Sequence, residues 1–186
     1  LPFDGDISHS FQCENCAGED FGFRFARSAV TANAMILDII HRYKYNHALW
    51  FEPFLADLLA RQAKPALAGE KWDLVVPVPL HPLKLRQREF NQAERLARGL
   101  GCALNLPVNT RAVRRVQFTE TQTVLSRPER AANVSGAFAA RDELHGERVI
   151  LVDDVMTTGA TTSACARALR QAGAGDVCVW TVARGT

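Results

Sequence analysis

The sequence lacks what would tie it to a membrane or to a disulfide framework. No apolar run approaches bilayer-spanning length and no signal peptide is visible, so no membrane segment is expected and a cytoplasmic home fits best. Lysine and arginine number 22 against 20 acidic residues, too mild a surplus to argue nucleic-acid binding by itself. There is no G-x-x-x-x-G-K-[ST] phosphate loop and no dinucleotide fingerprint. Cysteines number five, an odd count that speaks against paired disulfides. Cys102, Cys165 and Cys178 read as reduced packing residues in apolar helix or strand contexts. The chain opens at Leu1 rather than at methionine, which leaves room for a missing natural N-terminus. What remains is an ordinary globular composition, 47% apolar over 186 residues. That is enough for one domain with a small appendage.

One metal-like feature stands near the start. Cys13-Glu14-Asn15-Cys16 is the half-site of a zinc knuckle, because two intervening residues let one tight turn aim both thiolates at one ion. A structural zinc needs four ligands, and no second C-x₂-C exists. His9 could be a third, although its spacing does not require it. The pair therefore reads either as a remnant zinc site or as an unmetallated vestige.

The most informative stretch is Arg148 to Thr162, RVILVDDVMTTGATT. Val149 to Val152 form an apolar run suited to a strand buried on both faces. Asp153 and Asp154 follow at its carboxyl end, then a turn of small and hydroxyl residues, Thr157-Thr158-Gly159-Ala160-Thr161. Cys165, Ala168, Leu169 and Ala172 recur at helical spacing. A helix N-terminus suits a phosphate. Gly159 lets backbone approach the ligand, and the threonine hydroxyls can donate to phosphate oxygens. Adjacent carboxylates suit the vicinal hydroxyls of a ribose and could help hold Mg²⁺. The plainer alternative is an acidic pair capping a helix in an ordinary βα loop.

Elsewhere, Met35, Ile36, Ile39, Ile40 and Tyr43 mark one amphipathic helix, and Phe51, Phe54, Leu55, Leu58 and Leu59 a second with Pro53 in its first turn. Lys44 could reach an anionic ligand, but a solvated lysine is the default expectation. Lys64 to Lys71 reads as a connection, giving an N-terminal appendage over 1–64 and a main domain over 65–186. Leu74 to Val76 begins a buried strand. After it comes a basic segment with Lys84, Arg86 and Arg88 on alternate residues, which in an extended chain would put three cations on one side as a pyrophosphate clamp. An exposed basic loop without function is the alternative. Phe90 to Leu100 should be a helix ended by Gly101, and Leu106 to Val108 a short strand. Arg114 to Asn133 is polar and aperiodic, a candidate lid carrying Arg127 and Arg130. Gly136 to Ala139 should re-enter the sheet and Val177 to Ala183 should form a last strand. Strands separated by helices predict an α/β fold with a central, mostly parallel sheet, whose ligands bind at the carboxyl ends of the strands.

Three blocks, VPVPLHPLKLRQREFNQAERLA, TETQTVLSRPERAANVSGAF and VILVDDVMTTGATTSACARALRQAGA, together resemble the competence-protein ComF family, whose members are similar to type I phosphoribosyltransferases. The last block alone resembles only the wider superfamily. The resemblance implies a type I phosphoribosyltransferase-like fold with a small N-terminal appendage. It implies a site for phosphoribosyl pyrophosphate (PRPP) or a nucleoside monophosphate, with Mg²⁺ as cofactor and zinc as a possible structural ion. Val155, Met156, Thr157, Thr158, Gly159, Ala160 and Thr161 would cradle the 5′-phosphate, and Asp153 and Asp154 would bind the ribose hydroxyls. The Pro77 to Arg88 loop, with Val78, Lys84, Arg86 and Arg88, would meet pyrophosphate, helped by a non-proline cis peptide near Val76 to Val78. Arg130 would belong to the lid. Asp153, Asp154 and Arg88 are the implied catalytic set. Single-stranded DNA or DNA-uptake proteins are implied partners. Two departures stand out. The family usually shows Arg-Gly-Phe-Asn-Gln where this chain has Arg88-Glu89-Phe90-Asn91-Gln92, and it typically carries two C-x₂-C knuckles.

Overall fold

The computed structural model describes residues 20–117 and 136–185. A four-stranded parallel sheet in the order β1-β6-β5-β2 forms its centre, from β1 (Phe25–Thr31), β2 (Leu74–Pro77), β5 (Arg148–Met156) and β6 (Asp176–Arg184). The inner strands β5 and β6 are buried almost throughout, which is why both read as continuous apolar runs.

The pleat of β5 divides the core. Ile150 and Val152 face a layer made by α1 (Ala34–Tyr45), α2 (Glu52–Leu67) and α4 (Gln92–Leu104), with Tyr43, Leu55, Leu59, Leu96 and Leu100. Val149 and Leu151 face α5 (Ala160–Gln171) through Cys165 and Leu169. Each of these fully buried side chains contributes about 1.5–3 kcal/mol. A short antiparallel ribbon, β3 (Val113–Arg115) with β4 (Phe138–Ala140), covers the α5 side. β4 was expected to re-enter the central sheet; it pairs with β3 instead.

Three further expectations are corrected. The connection placed at Lys64 to Lys71 is helix as far as Leu67, so a boundary between 64 and 65 falls inside α2. The first 64 residues also supply β1, whose register with β6 runs from Phe25↔Cys178 to Thr31↔Arg184. Gly101 does not end α4. It lies buried within the helix, because a Cβ there would meet Val108 Cγ2 at 2.5 Å. Leu106 to Val108 makes only a single parallel bridge, Val108 to Val75.

Candidate functional site

β5 delivers Asp153 and Asp154 to the carboxyl end of the sheet, both buried, at 9% and 3% exposure. Successive residues of a strand point to opposite faces. Asp154 therefore turns toward the α1 layer and Asp153 toward the α5 layer. The two side chains leave the strand end on opposite faces, yet their carboxyl groups stay close enough for Asp154 to act on Asp153 through its charge and a side-chain hydrogen bond. Each accepts the next backbone N–H: Asp154 N donates to Asp153 Oδ1 at 2.9 Å, and Val155 N to Asp154 Oδ1 at 2.7 Å.

Lys44 meets Asp154. Its Nζ lies 2.5 Å from Asp154 Oδ2, and that oxygen has no hydrogen-bond partner apart from the ammonium. The side chains are 18% and 5% exposed, so the expected solvated lysine is instead a largely buried counter-ion. The last turn of α1 holds it in place. Tyr43 is fully buried and its hydroxyl donates to Glu52 Oε2 at 3.2 Å, while Arg95 pairs with the same oxygen at 2.8 Å. On the other face, burial first and the neighbouring Asp154 charge second raise the Asp153 carboxyl to about 8, with Lys44 opposing. Arg115 on β3 is held below its ordinary value by burial, with the Asp153 charge opposing. Its guanidinium stacks 5.3 Å over the Phe138 ring.

The turn after β5 starts a helix on glycine. Gly159 is the N-cap of α5 at φ +82° and has no side chain of its own to cap the helix. An added Cβ would be strained there and would meet Met156 Cε at 2.8 Å. Met156 is buried, so it packs the floor of the turn. Thr158 Oγ1 accepts from Ala160 N at 3.4 Å, and Thr162 donates inward to the Gly159 carbonyl at 3.0 Å. Val155 to Thr161 thus lie together, with a helix N-terminus beside an acidic strand end.

β2 lies next to β5, with Pro77 opposite Val152. Val78 N donates to Val152 O at 2.9 Å, and Asn91 Nδ2 donates to Val78 O at 3.1 Å. The expected cis peptide is absent: no cis peptide occurs among the described residues. The Val78 N–H continues the sheet ladder and is not turned toward a ligand. The basic segment is also corrected. It is the helix α3 (Pro82–Arg88), capped by the His81 side chain with Pro82 in the first turn. Two residues of helix turn through about 200°, so Lys84 and Arg88 share a face and Arg86 leaves it. The Arg88 guanidinium lies 4.8 Å over the Tyr45 ring and donates to Gln92 Oε1 at 2.5 Å. Glu89 ends α3 in the left-handed region at φ +66°. Such a backbone favours glycine, which gives a conformational reason for the Arg-Gly-Phe pattern. Sequence reasoning named Lys44 but expected it solvated, and it missed Asn91, which caps α4 and ties the α3–α4 turn to Val78. Asn91 was findable as a cap residue before an apolar-periodic run.

Cys13, Cys16, Arg127 and Arg130 lie outside the described residues, as does the candidate lid segment beyond residue 117. Among the described residues no three His, Cys, Asp or Glu side chains gather as a metal site. One member of the acidic pair already holds an ammonium. This donor set does not build a protein-held magnesium site. Also among the described residues, no helix is long and apolar enough to cross a membrane.

Residues 56–185 match the phosphoribosyl transferase domain family. The chain is 36% identical over 152 residues to "Competence protein F" of Haemophilus influenzae, covering 78% of this chain and 66% of that protein. It is 32% identical over 149 residues to "DNA utilization protein YhgH" of Escherichia coli, with the same 78% and 66% coverage. It thus spans just under two thirds of the length of these relatives. Among solved structures it is similar to a glutamine PRPP amidotransferase from B. subtilis complexed with ADP and GMP, at 23% identity and a TM-score of 0.46, covering 70% of this chain and 25% of that one.

Proposed function

The chain belongs to the ComF family of phosphoribosyltransferase-like proteins, with a type I phosphoribosyltransferase-like fold, and from that premise we propose that its β5–α5 site binds PRPP or a nucleoside monophosphate and transfers a phosphoribosyl group. The observation that carries this reading is the buried acidic end of β5 set against a helix that starts on glycine. The α5 N-terminus and the hydroxyls of Thr157, Thr158 and Thr161 take the 5′-phosphate. Asp153 and Asp154, reaching the strand end from both sides, accept from the ribose hydroxyls. Lys84 and Arg88, on one face of α3, stand on the β2 side as the cations for pyrophosphate.

The reaction breaks the bond between ribose C1 and the pyrophosphate oxygen while an acceptor lone pair forms the new bond. Charge collects on the leaving pyrophosphate. Positioning and charge neutralisation are then the work of the protein, and no covalent nucleophile is needed. Magnesium, in this reading, would arrive with PRPP and would supply charge neutralisation at the leaving pyrophosphate. The names of the relatives support a role in competence or DNA use, and this reading places that role in the cytoplasm. Calorimetric titration with PRPP and AMP tests the site. Asp153→Asn with Asp154→Asn should abolish binding of both, and unchanged affinity would sink the assignment.

A second reading has its own observation. Tyr45 and Trp50 are exposed at 54% and 72%, with the Arg88 guanidinium over the Tyr45 ring. Exposed aromatics beside arginine suit the bases and phosphates of single-stranded DNA. Salt-sensitive oligonucleotide binding that survives both aspartate substitutions but is lost in Trp50→Ala would favour a DNA-binding module without transfer chemistry.

A further inference from the structure

An acidic pair that serves a ribose must stay oriented in a site with little water, and the charge it carries there needs a partner. In many such sites a divalent cation supplies the opposing charge. Here the described residues offer no cluster to hold one, yet a cation is already in place. Lys44 Nζ is 2.5 Å from Asp154 Oδ2, in a contact with 18% and 5% of the two side chains exposed. The remaining oxygen of Asp154 is fixed by the Val155 N–H at 2.7 Å. Lys44 does not drift into this place. Its neighbour Tyr43 is locked to Glu52, Glu52 to Arg95, and Asn46 closes the helix by donating to the Arg42 carbonyl at 2.9 Å.

We infer that Lys44 is a positioning residue, the resident counter-cation of the acidic pair, and that the ribose-phosphate half of the ligand therefore binds without a divalent metal. This rests on the phosphoribosyl reading of the β5–α5 site. Lys44 fixes the Asp154 carboxylate toward the strand end and offsets its charge there. Any metal requirement then belongs to pyrophosphate alone.

The test is AMP titration in EDTA and again in millimolar Mg²⁺, for the wild-type chain, Lys44→Arg and Lys44→Met. The wild type and Lys44→Arg should bind AMP with the same affinity, within about twofold, in both buffers. Lys44→Met should bind about tenfold or more weakly in EDTA, which is a loss of about 1.4 kcal/mol. Mg²⁺ should restore part of that loss, because a hydrated divalent cation near the strand end can offset the Asp154 charge that the ammonium no longer balances. A purely structural lysine would give a loss that magnesium does not repair, and this would overturn the inference. So would a Lys44→Met chain that binds normally in EDTA, or a wild type whose AMP affinity depends tenfold on Mg²⁺. The wild-type comparison needs no substitution, so it decides the matter even where Lys44→Met fails to fold. Loss of AMP binding in Asp153→Asn alongside an unaffected Lys44→Met would remove this inference alone. Absence of AMP binding to the wild type in either buffer would remove the phosphoribosyl reading and this inference with it.

Discussion

The two ends of the parallel sheet treat charge in opposite ways. At the amino end, Arg24 and Arg148 share Glu70 and Asp176, and both guanidiniums lie over the Trp72 ring. Asp73 accepts from the Arg148 backbone N–H at 3.0 Å. These groups are partly exposed, with Arg24 at 44% and Glu70 at 37%. At the carboxyl end, Asp153, Asp154 and Lys44 are all but enclosed. Open ion pairs are individually weak and screened by salt, whereas breaking an enclosed pair strands a charge. The amino end is fastened by interactions the fold can lose one at a time. The carboxyl end keeps charges that cost the fold stability, which the proposed ligand site would account for.

The sharpest way to break this contrast is Asp154→Asn, which leaves the Lys44 ammonium without its partner. The expected cost is about 3–5 kcal/mol, a fall in melting temperature on the order of ten degrees. A variant that melts like the wild type would show that the two ends are not different in kind. Asp153→Asn should behave otherwise. Its carboxyl is raised in the folded chain, to about 8, so the folded state holds a proton that the unfolded chain releases. Stability from this group is present in acid and lost as pH climbs from the ordinary carboxylate range, about 4, through that value. Asp153→Asn should flatten this decline in a thermal-melt series while AMP affinity falls at least about tenfold. An unchanged pH slope would remove Asp153 as its source.

A smaller effect is expected at Glu89, held at φ +66°. Glu89→Gly relieves a conformation that costs a non-glycine residue about 1 kcal/mol, so melting should rise by roughly 2–4 °C. A lower melting temperature would mean that the Glu89 side chain stabilises the turn. The least effect belongs to the amino end. Glu70 is held below the ordinary carboxylate value first by its hydrogen bond with Arg24, and Asp73 by the Arg148 N–H. Their contribution is present above about pH 4.3 and is lost as pH falls below it. Glu70→Gln should blunt only this acid limb, less so in high salt, and leave AMP binding alone. Measured together, the variants should assign the acid limb to one end of the sheet and the decline toward pH 8 to the other.

The parts legible in the sequence are those where local pattern and tertiary role agree. β5 and β6 are buried on both faces, so composition alone marks them, and the acidic pair and Gly159 announce the turn. α3 misled because cations on alternate residues imitate the period of a strand. The stronger signal was Pro82 directly after a residue able to cap. β1 was overlooked because its mixed burial on the sheet edge gives no clean period. Lys44 was illegible for a different reason. A lysine in the last turn of a helix is ordinarily solvated, and its partner lies far along the chain, on the far side of most of the fold's contacts. Nothing local distinguishes it.

β1 also bears on how the chain is made. Its partner is β6, and the hydroxyl pair Ser28–Thr181 that joins them spans 153 residues. At ~5–20 residues per second, synthesis separates the two strands by roughly ten to thirty seconds. For that interval the segment has no sheet to join, and its N–H and C=O groups are open to any other strand nearby. Such long-range parallel pairing is slow to form, so β1 is expected to be open to mispairing until β6 is made.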